Sequence, residues 1–145
     1  MLKIRRFKLS DLEKIIEIEK NSFPQPWSKA YFKKIYKEHP NDFMVAELSG
    51  KVAGYILGYV KPNRSGSIGT LAVTRRYRRQ GIGKQLVNLI MQRMKQKDIK
   101  EISLHTRKKN RIANSFHKKV GFRTIEIIKK YYPNNEDAYL MRRGL

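Results

Sequence analysis

Two glycines, Gly81 and Gly83, lie one residue apart in the arginine-rich segment YRRQGIGKQL at residues 77–86. The apolar run TLAV precedes this segment. From the first glycine onward, apolar residues recur at intervals of three and four: Ile82, Leu86, Leu89, Ile90 and Met94. This spacing predicts an amphipathic helix over residues 81–97. A helix N-terminus presents unpaired backbone N–H groups and a partial positive charge, and glycines let a ligand approach closely. The segment therefore predicts a site for phosphate or pyrophosphate, as in a phosphorylated cofactor.

Two better-known glycine loops are excluded by the neighbouring residues. The pattern G-x-x-x-x-G-K-[ST] is absent, and Gly83 is followed by Lys84, Gln85 and Leu86 instead of a third glycine three residues on. Taken alone, two such glycines are equally compatible with a tight turn and close packing of the helix on a sheet. Other residues must decide between these interpretations.

The composition adds a strong electrostatic constraint. The chain of 145 residues carries 33 Lys and Arg against 12 Asp and Glu, a formal charge of +21. Residues 75–119 hold fifteen of the basic residues but only Asp98 and Glu101 as acids, so this segment is net +13 by subtraction. Such an excess predicts an anionic partner, for example RNA or an acidic protein. The alternative is a solvated surface of the kind found in lysine-rich thermophile proteins.

Several classes of protein are excluded or disfavoured. The chain has no cysteine, which excludes disulfides, thiolate metal sites and a cysteine nucleophile, and no metal site is predicted. The N-terminus lacks the pattern of a secretion signal, and the longest apolar stretches are too short to span a bilayer. We therefore expect one cytoplasmic domain that comprises residues 1–145 and has no membrane partner.

The first half of the chain predicts strands and two helices. LKIRRF is typical of a strand, and a capping box at Ser10–Glu13 predicts the start of a helix with Ile15 and Ile16 on its buried face. FPQPW at residues 23–27 ends that helix, and Ser28 can cap a second. A period of two then predicts strands at residues 42–48, 51–60 and 65–73, with a turn at Ser49 and Gly50.

In the second half, helices and strands alternate. EISLHTR at residues 101–107 predicts a strand, residues 110–120 a helix ended by Gly121, and residues 122–132 and 137–143 two final strands. The order is strand, two helices, three strands, helix, strand, helix and two strands. This alternation is typical of a mixed α/β sheet.

Four motifs together resemble one family. RRQGIG at residues 78–83 fits the [QR]-x-x-G-x-[GA] signature of the GCN5-related N-acetyltransferase (GNAT) superfamily, and LAV before it fits that family's central strand. Three further segments are similar to segments of bacterial ribosomal-protein-alanine acetyltransferases: NSFPQPWS, NRIANSFHKKVGF and KKYYPNNEDAYLM. The last of them is also similar to archaeal N-terminal protein acetyltransferases. The resemblance covers nearly the whole chain in the same order. It implies the GNAT fold, a mixed and mostly antiparallel central sheet flanked by helices.

The resemblance also implies a reaction and a cosubstrate. In it, an amine attacks the thioester of acetyl-CoA directly, a tetrahedral intermediate forms, and the thiol of CoA leaves. Backbone N–H groups around Leu71, Ala72 and Val73 would bind the thioester oxygen, and Asn110 would lie near the pantetheine arm. The residues expected to hold the pyrophosphate are Arg78, Arg79, Gln80, Gly81, Ile82, Gly83 and Lys84.

The acid and base are where the sequence departs from the bacterial pattern. The strand motif L-E-V-R of bacterial members, whose Glu accepts the proton, reads Leu104-His105-Thr106-Arg107 here. A histidine is an apt base at neutral pH, so His105 is the predicted base. His117 aligns with the family tyrosine that lies beside the sulfur of CoA, so it is the predicted acid and a further cofactor contact.

The substrate is expected to be a protein or peptide N-terminus. By resemblance, Phe23 and Pro24 in one loop and Tyr131 and Tyr132 in another would bind it. Two alternatives stay open: acetylation of a lysine side chain or a small amine, and a non-catalytic GNAT-fold protein that binds nucleic acid or the ribosome. A ribosomal protein as substrate would link the basic surface to ribosomal RNA.

Overall fold

Seven strands form one continuous sheet in the computed structural model, which describes residues 1–145. Their order across the sheet is β1-β2-β3-β4-β5-β7-β6, and β4 with β5 is the only parallel pair. The sheet is mixed and mostly antiparallel, which confirms the predicted fold class. The strands are β1 (Leu2–Arg6), β2 (Phe43–Leu48), β3 (Lys51–Val60), β4 (Gly66–Val73), β5 (Glu101–Arg107), β6 (Arg123–Ile128) and β7 (Ala138–Gly144).

Four α-helices cover the two faces of this sheet. They are α1 (Leu12–Ser22), α2 (Lys29–Glu38), α3 (Ile82–Gln96) and α4 (Arg111–Lys119), in the predicted order. Consecutive side chains of β3 point to opposite faces of the sheet, because side chains alternate along a strand. Tyr55 packs in a cluster with residues of α1 and α2, whereas Ile56 packs in a second cluster with residues of α3. Phe116 of α4 contacts the second cluster, so α3 and α4 share one face.

Local chemistry explains where α2 begins and where α4 ends. The Ser28 hydroxyl accepts a hydrogen bond from the backbone N–H of Tyr31 at 3.2 Å, which confirms the predicted cap of α2. Gly121 ends α4 with a φ of +98°, while the Phe122 N–H donates to the carbonyl of His117 at 2.9 Å. This arrangement is a Schellman motif. It requires a left-handed backbone conformation at residue 121, which only glycine adopts without strain.

The predicted capping box at Ser10–Glu13 is wrong. Residues Leu9–Asp11 form a 3₁₀ turn, and α1 begins after Asp11 at Leu12. The Asp11 carboxylate accepts the backbone N–H of Lys8 at 2.8 Å and binds Arg5 of β1 at 2.8 Å. The Asp11 side chain therefore closes the 3₁₀ turn and pairs with a cation of the sheet, and it makes no capping bond to α1. Ile15 is fully buried as predicted, but Ile16 is only half-buried.

The last predicted strand pair is also shorter than expected. The strand expected over residues 122–132 ends at Ile128, so Tyr131 and Tyr132 lie in the loop between β6 and β7. Lys130 has a φ of +51°, and its N–H donates to the Asp137 carboxylate at 3.0 Å. The left-handed Lys130 ends the strand, this bond ties the two sides of the loop together, and the two tyrosines lie at the end of the sheet instead of inside it.

The sheet opens between β4 and β5. These strands are paired only from Gly66 with Ile102 to Ile68 with Leu104. Beyond that point Gly69 forms a bulge opposite β3, since Leu57 pairs with Thr70 but Gly58 pairs with Ile68. The C-terminal halves of β4 and β5 are therefore not hydrogen-bonded to each other, and a gap lies between them in the middle of the sheet.

Candidate active site

The β4 side of the gap presents free backbone donors. The Thr74 N–H donates to the Ala53 carbonyl at 2.7 Å, and hydrogen-bonded pairs alternate along an antiparallel ladder. The backbone N–H of Ala72 therefore points to β3, whereas the N–H groups of Leu71 and Val73 point into the gap. Of the three residues predicted to bind a thioester oxygen, Leu71 and Val73 have amides in position to do so, and Ala72 does not.

The glycine loop forms a second group of donors at the same end of the gap. Gly81 precedes α3 with a φ of +80°, and Arg79 is also left-handed at +64°. The next N–H in sequence, that of Gln85, donates to the Gly81 carbonyl at 3.1 Å, but the six N–H groups of residues 79–84 have no acceptor within the chain. Consecutive free amides at a helix N-terminus form an anion-binding nest, so this loop fits a pyrophosphate.

Side chains around the loop hold its shape. The Arg78 Nε donates to the Val73 carbonyl at 2.8 Å and its guanidinium reaches the Ser22 hydroxyl at 3.3 Å, so Arg78 buttresses the loop. A Cβ atom on Gly83 would lie 3.3 Å from the Phe116 ring, closer than ordinary contact. Gly83 thus allows α4 to pack against the start of α3. Asn110 caps α4 through a 3.1 Å bond from the Ala113 N–H, which leaves its amide nitrogen free as a donor.

His117 lies in α4, on the same face of the sheet as α3. It is only 8% exposed, and its ring stands edge-on to the rings of Phe116 and Phe122 at 5.3 and 6.0 Å. Its Nδ1 atom is buried without a hydrogen-bond partner. Burial lowers the pKa of His117 to about 4, so the imidazole is neutral at neutral pH and retains one N–H to donate.

His105 lies on the opposite face. Its neighbour Leu104 packs with the α3 cluster, so the alternation of β5 directs His105 toward the face covered by α1 and α2. The Tyr131 ring stacks on the imidazole at 4.6 Å and 8°. Desolvation and the nearby Lys61 ammonium lower the pKa of His105, with Glu126 opposing the shift. The ring is therefore neutral, and available as a base, at neutral pH.

Two loops flank the gap on the His105 face. The loop between α1 and α2 contains Phe23 and Pro24, and Trp27 fixes it to the bulge of β4 through a 3.3 Å bond to the Gly69 carbonyl. Tyr131 and Tyr132 stand edge to face at 5.0 Å in the opposite loop. Trp27 also stacks on Tyr31 of α2 at 4.0 Å. The pKa of Tyr31 is raised by burial and by the nearby Tyr59, Glu19 and Tyr131. The four predicted substrate residues thus belong to two facing loops.

One buried carboxylate beside this site was missed by the sequence analysis. Glu19 of α1 is 1% exposed and accepts hydrogen bonds from the Tyr55 hydroxyl, from Thr70 at 2.8 Å and from the Trp27 N–H at 2.9 Å. It therefore joins the α1–α2 loop to β3 and to β4 just beyond the bulge. Its only sequence signal is a charge at a position of α1 adjacent to the apolar Ile15 and Ile18.

The structure contains neither a cluster of potential metal ligands nor a helix that could span a membrane. No three His, Cys, Asp or Glu side chains are grouped so that they could hold a metal ion. None of the helices combines the length and the apolar character needed to cross a bilayer.

The fold and site define a protein with a split sheet that offers an anion-binding nest on one side and a neutral histidine between aromatic loops on the other. Residues 12–122 match the model of the acetyltransferase (GNAT) family. The chain is 34% identical to an N-alpha-acetyltransferase of Sulfurisphaera tokodaii, over 99% of this chain and 93% of that protein. It is also 34% identical to a Bacillus subtilis protein provisionally named [ribosomal protein bS18]-alanine N-acetyltransferase, over 95% and 92%.

A solved structure supports the same assignment. Ard1 from Thermoplasma volcanium superposes with a TM-score of 0.95 at 29% identity, covering 99% of this chain and 97% of that one. This chain therefore belongs to the acetyltransferase (GNAT) family.

Proposed function

We propose that the protein transfers the acetyl group of acetyl-CoA to the N-terminal α-amino group of a protein or peptide. The observation that carries this proposal is the gap between β4 and β5, which has free amides at one end and His105 on one face. A cosubstrate held from the α3 face and an amine entering from the other face would meet there. Because one sheet contains every strand, we propose that residues 1–145 act as one domain.

The residues present fit acetyl-CoA, which supplies an activated acetyl thioester. The six free amides of residues 79–84 would hold its pyrophosphate, and the Leu71 and Val73 N–H groups would bind the thioester oxygen as negative charge develops on it. Asn110 offers a free amide donor for the pantetheine arm. His117, buried beside this face with an unpaired Nδ1, would lie toward the sulfur.

Proton transfer would depend on the neutral imidazole of His105. His105 would accept the proton of the substrate ammonium, directly or through water, and the free amine would attack the acetyl carbon. The new C–N bond would form first and place negative charge on the thioester oxygen, bound by the Leu71 and Val73 N–H groups. The C=O bond would then re-form as the C–S bond breaks and the thiolate leaves. The second amine proton passes to solvent, or to His105 once His105 has released the first proton to solvent. The thiolate takes its proton from water, and the neutral His117 N–H would stabilise it as a hydrogen-bond donor. Thiolates leave readily, so the base should matter more than the acid.

The base favours an α-amine over a lysine side chain. An α-amino group has a pKa of about 8, against about 10.4 for lysine, so much less driving force is needed to remove its proton. A histidine whose pKa is lowered below its usual range is a weak base and suits the more acidic ammonium. The aromatic loops at Phe23 and Tyr131 would then enclose the first residues of the chain.

We further propose that the substrate is a ribosomal protein, acetylated in the cytoplasm. The net charge of +13 over residues 75–119 supports a site close to RNA. The printed name of the Bacillus subtilis relative, which is similar over nearly its whole length, points the same way.

The test is the release of CoA thiol from acetyl-CoA with short peptides of varied first residues. Each peptide is supplied with a free N-terminus and, as the matched control, with a blocked N-terminus and an internal lysine. We expect activity on free N-termini alone. Activity on the blocked peptides would replace this proposal with lysine acetylation, and acetyl-CoA binding without any turnover would favour a non-catalytic binding protein.

A further inference from the structure

A cleft separate from the gap lies between α4 and the loop that precedes β7. Its volume is about 1030 Å³, at the upper end of the range for ligand pockets. One wall is formed by Lys108 and Lys109 after β5 and by α4, and the other by residues 134–137. We call it the α4 cleft. None of the residues assigned to acetyl-CoA or to the peptide lines it.

The α4 cleft has a net positive charge, because four cations line it against two carboxylates. Four cations line it, Lys108, Lys109, Arg111 and Lys118, and none has a carboxylate within 4.0 Å. The two acids of the opposite wall form their ion pairs with cations outside the lining, and Lys109 and Lys108 act on them only from a longer distance. Glu136 binds Arg107 at 3.4 Å, and Asp137 binds Lys129 at 3.4 Å and the Lys130 N–H at 3.0 Å.

The rest of the lining is polar. Three asparagines, Asn114, Asn134 and Asn135, and Ser115 contribute amide and hydroxyl groups, and Tyr139 is the one residue with a large apolar surface. Protein–protein interfaces have an apolar centre, whereas nucleic-acid interfaces are more polar and far more positively charged. The α4 cleft lacks the apolar centre that a protein partner needs. Its chemistry matches phosphates, with amides nearby to contact sugars or bases.

The position of the cleft links it to the peptide site. Lys108 follows directly on β5, the strand that carries His105, and its N–H donates to the Asp137 carbonyl at 3.0 Å. The opposite wall continues the loop of Tyr131 and Tyr132, since the Asn135 N–H donates to the Tyr132 carbonyl at 2.8 Å. A polyanion in the cleft would therefore lie beside the entrance used by the peptide.

We propose that the α4 cleft binds single-stranded RNA through its phosphates and so brings the N-terminus of an RNA-bound protein to the active site. This inference rests on the proposed function for the identity of the substrate, but RNA binding itself does not depend on it. Each residue of the cleft that contacts a phosphate releases counterions, so the affinity must fall as salt is raised.

The test measures the affinity of the whole protein for a labelled single-stranded RNA over a salt series. The cleft variant is K108Q/K109Q/R111Q/K118Q. The matched control, R6Q/K33Q/K34Q/K37Q, also removes three lysines and one arginine, all exposed and unpaired, from β1 and α2. Thermal unfolding of both variants establishes that they fold.

We expect the cleft variant to bind RNA at least about tenfold more weakly, and to reduce the slope of log K against log salt by about 3, the value for four lost contacts with a single strand. The control variant should keep most of its affinity for RNA and most of the slope of log K against log salt. Equal losses in the two variants would overturn the proposal, because binding would then belong to the whole basic surface. A poly-glutamate peptide that binds as tightly as RNA, with the same dependence on the cleft, would overturn it in favour of an acidic protein.

Acetylation of short free peptides without RNA separates the two proposals. If the peptides are acetylated but RNA binding does not depend on the cleft, the RNA site fails and the proposed function stands. If RNA binding depends on the cleft but no peptide is acetylated, the cleft stands and the proposed function fails.

Discussion

His105 and His117 are both neutral at neutral pH, but they differ in what surrounds them. His105 faces solvent on one side and Tyr131 on the other, whereas His117 is enclosed by Phe116 and Phe122. General-base catalysis typically contributes about 10²–10⁴-fold to a rate. We expect His105→Ala to lower kcat/KM by about this factor, and His117→Phe to lower it much less because thiolates leave without assistance. The idea fails if both variants retain the kcat/KM of the unchanged protein.

The pH profile of the reaction should report the state of His105. A base works in its neutral form, and desolvation together with Lys61 lowers the pKa of His105, while Glu126 acts in the opposite sense. The acidic limb of kcat/KM should therefore have its midpoint below the usual pKa of a histidine, about 6.5. Removing the ammonium in Lys61→Met should move this midpoint to higher pH. Lys37→Met, an exposed lysine of α2, is the control and should leave the midpoint in place.

Burial of His117 also makes the stability of the fold depend on pH. Its pKa is about 4 in the folded protein and about 6.5 when unfolded, so between these values the unfolded chain binds a proton that the folded chain does not. The free energy of unfolding should fall as the pH drops from 6.5 to 4, by up to about 3 kcal/mol from this residue, and not further below pH 4. Urea unfolding of the unchanged protein and of His117→Phe across this range measures the difference. Parallel curves would contradict the assignment.

The glycine loop before α3 makes a prediction that belongs to the element as a whole. Gly81→Asp places a negative charge among the free amides of residues 79–84, and we expect the affinity for acetyl-CoA to fall by about tenfold or more. Gly81→Asn is the control, since asparagine tolerates the left-handed φ of +80° without the charge. Calorimetric titration with acetyl-CoA compares the two variants. An unchanged affinity in Gly81→Asp would reject the loop as the pyrophosphate site.

The helices and strands show which features can be predicted from residues that are close together in the sequence. The order of strands and helices, the cap at Ser28 and the end of α4 at Gly121 were all predicted, because each depends on residues within a few positions. The strand predicted to include Tyr131 and Tyr132 was wrong, because Asp137 turns the chain at Lys130. The capping box was wrong because residues Leu9–Asp11 form a 3₁₀ turn, in which Asp11 bonds to the Lys8 N–H and pairs with Arg5 from another element.

The site itself depends on contacts between distant segments, and this is why the sequence described it only in part. The hydrogen-bond partners of Glu19 include Tyr55 and Thr70, which lie 36 and 51 residues further along the chain. The residues near Glu19 in sequence indicate that it lies beside the apolar face of α1 but not which groups it joins. The gap forms because β4 and β5 pair and then separate at the Gly69 bulge. The hydrophobic periodicity of the sequence does not indicate where this separation occurs. That His105 and His117 lie on opposite faces follows only once the sheet is assembled.

At the scale of the whole molecule, the positive charge must be accommodated without many acids. Most of the carboxylates are already engaged, for example Asp11 with Arg5, Asp42 with Arg93 and Glu136 with Arg107. The remaining cations repel one another across the surface, and such self-repulsion destabilises the compact state. Their retention over the α4 cleft is easier to understand if a polyanion binds there.

This repulsion predicts an unusual response to salt. Between about 10 mM and about 100 mM the Debye length falls from about 30 Å to about 10 Å, which screens repulsion among distant cations more than it weakens close ion pairs. We expect Tm to rise over this range by about 2–4 °C, equivalent to about 1 kcal/mol for a domain of this size. The R6Q/K33Q/K34Q/K37Q variant, which carries four fewer positive charges, should show a smaller rise. A Tm that falls with salt would mean that the ion pairs, such as Arg5 with Asp11, outweigh the repulsion and that the excess charge is already well separated.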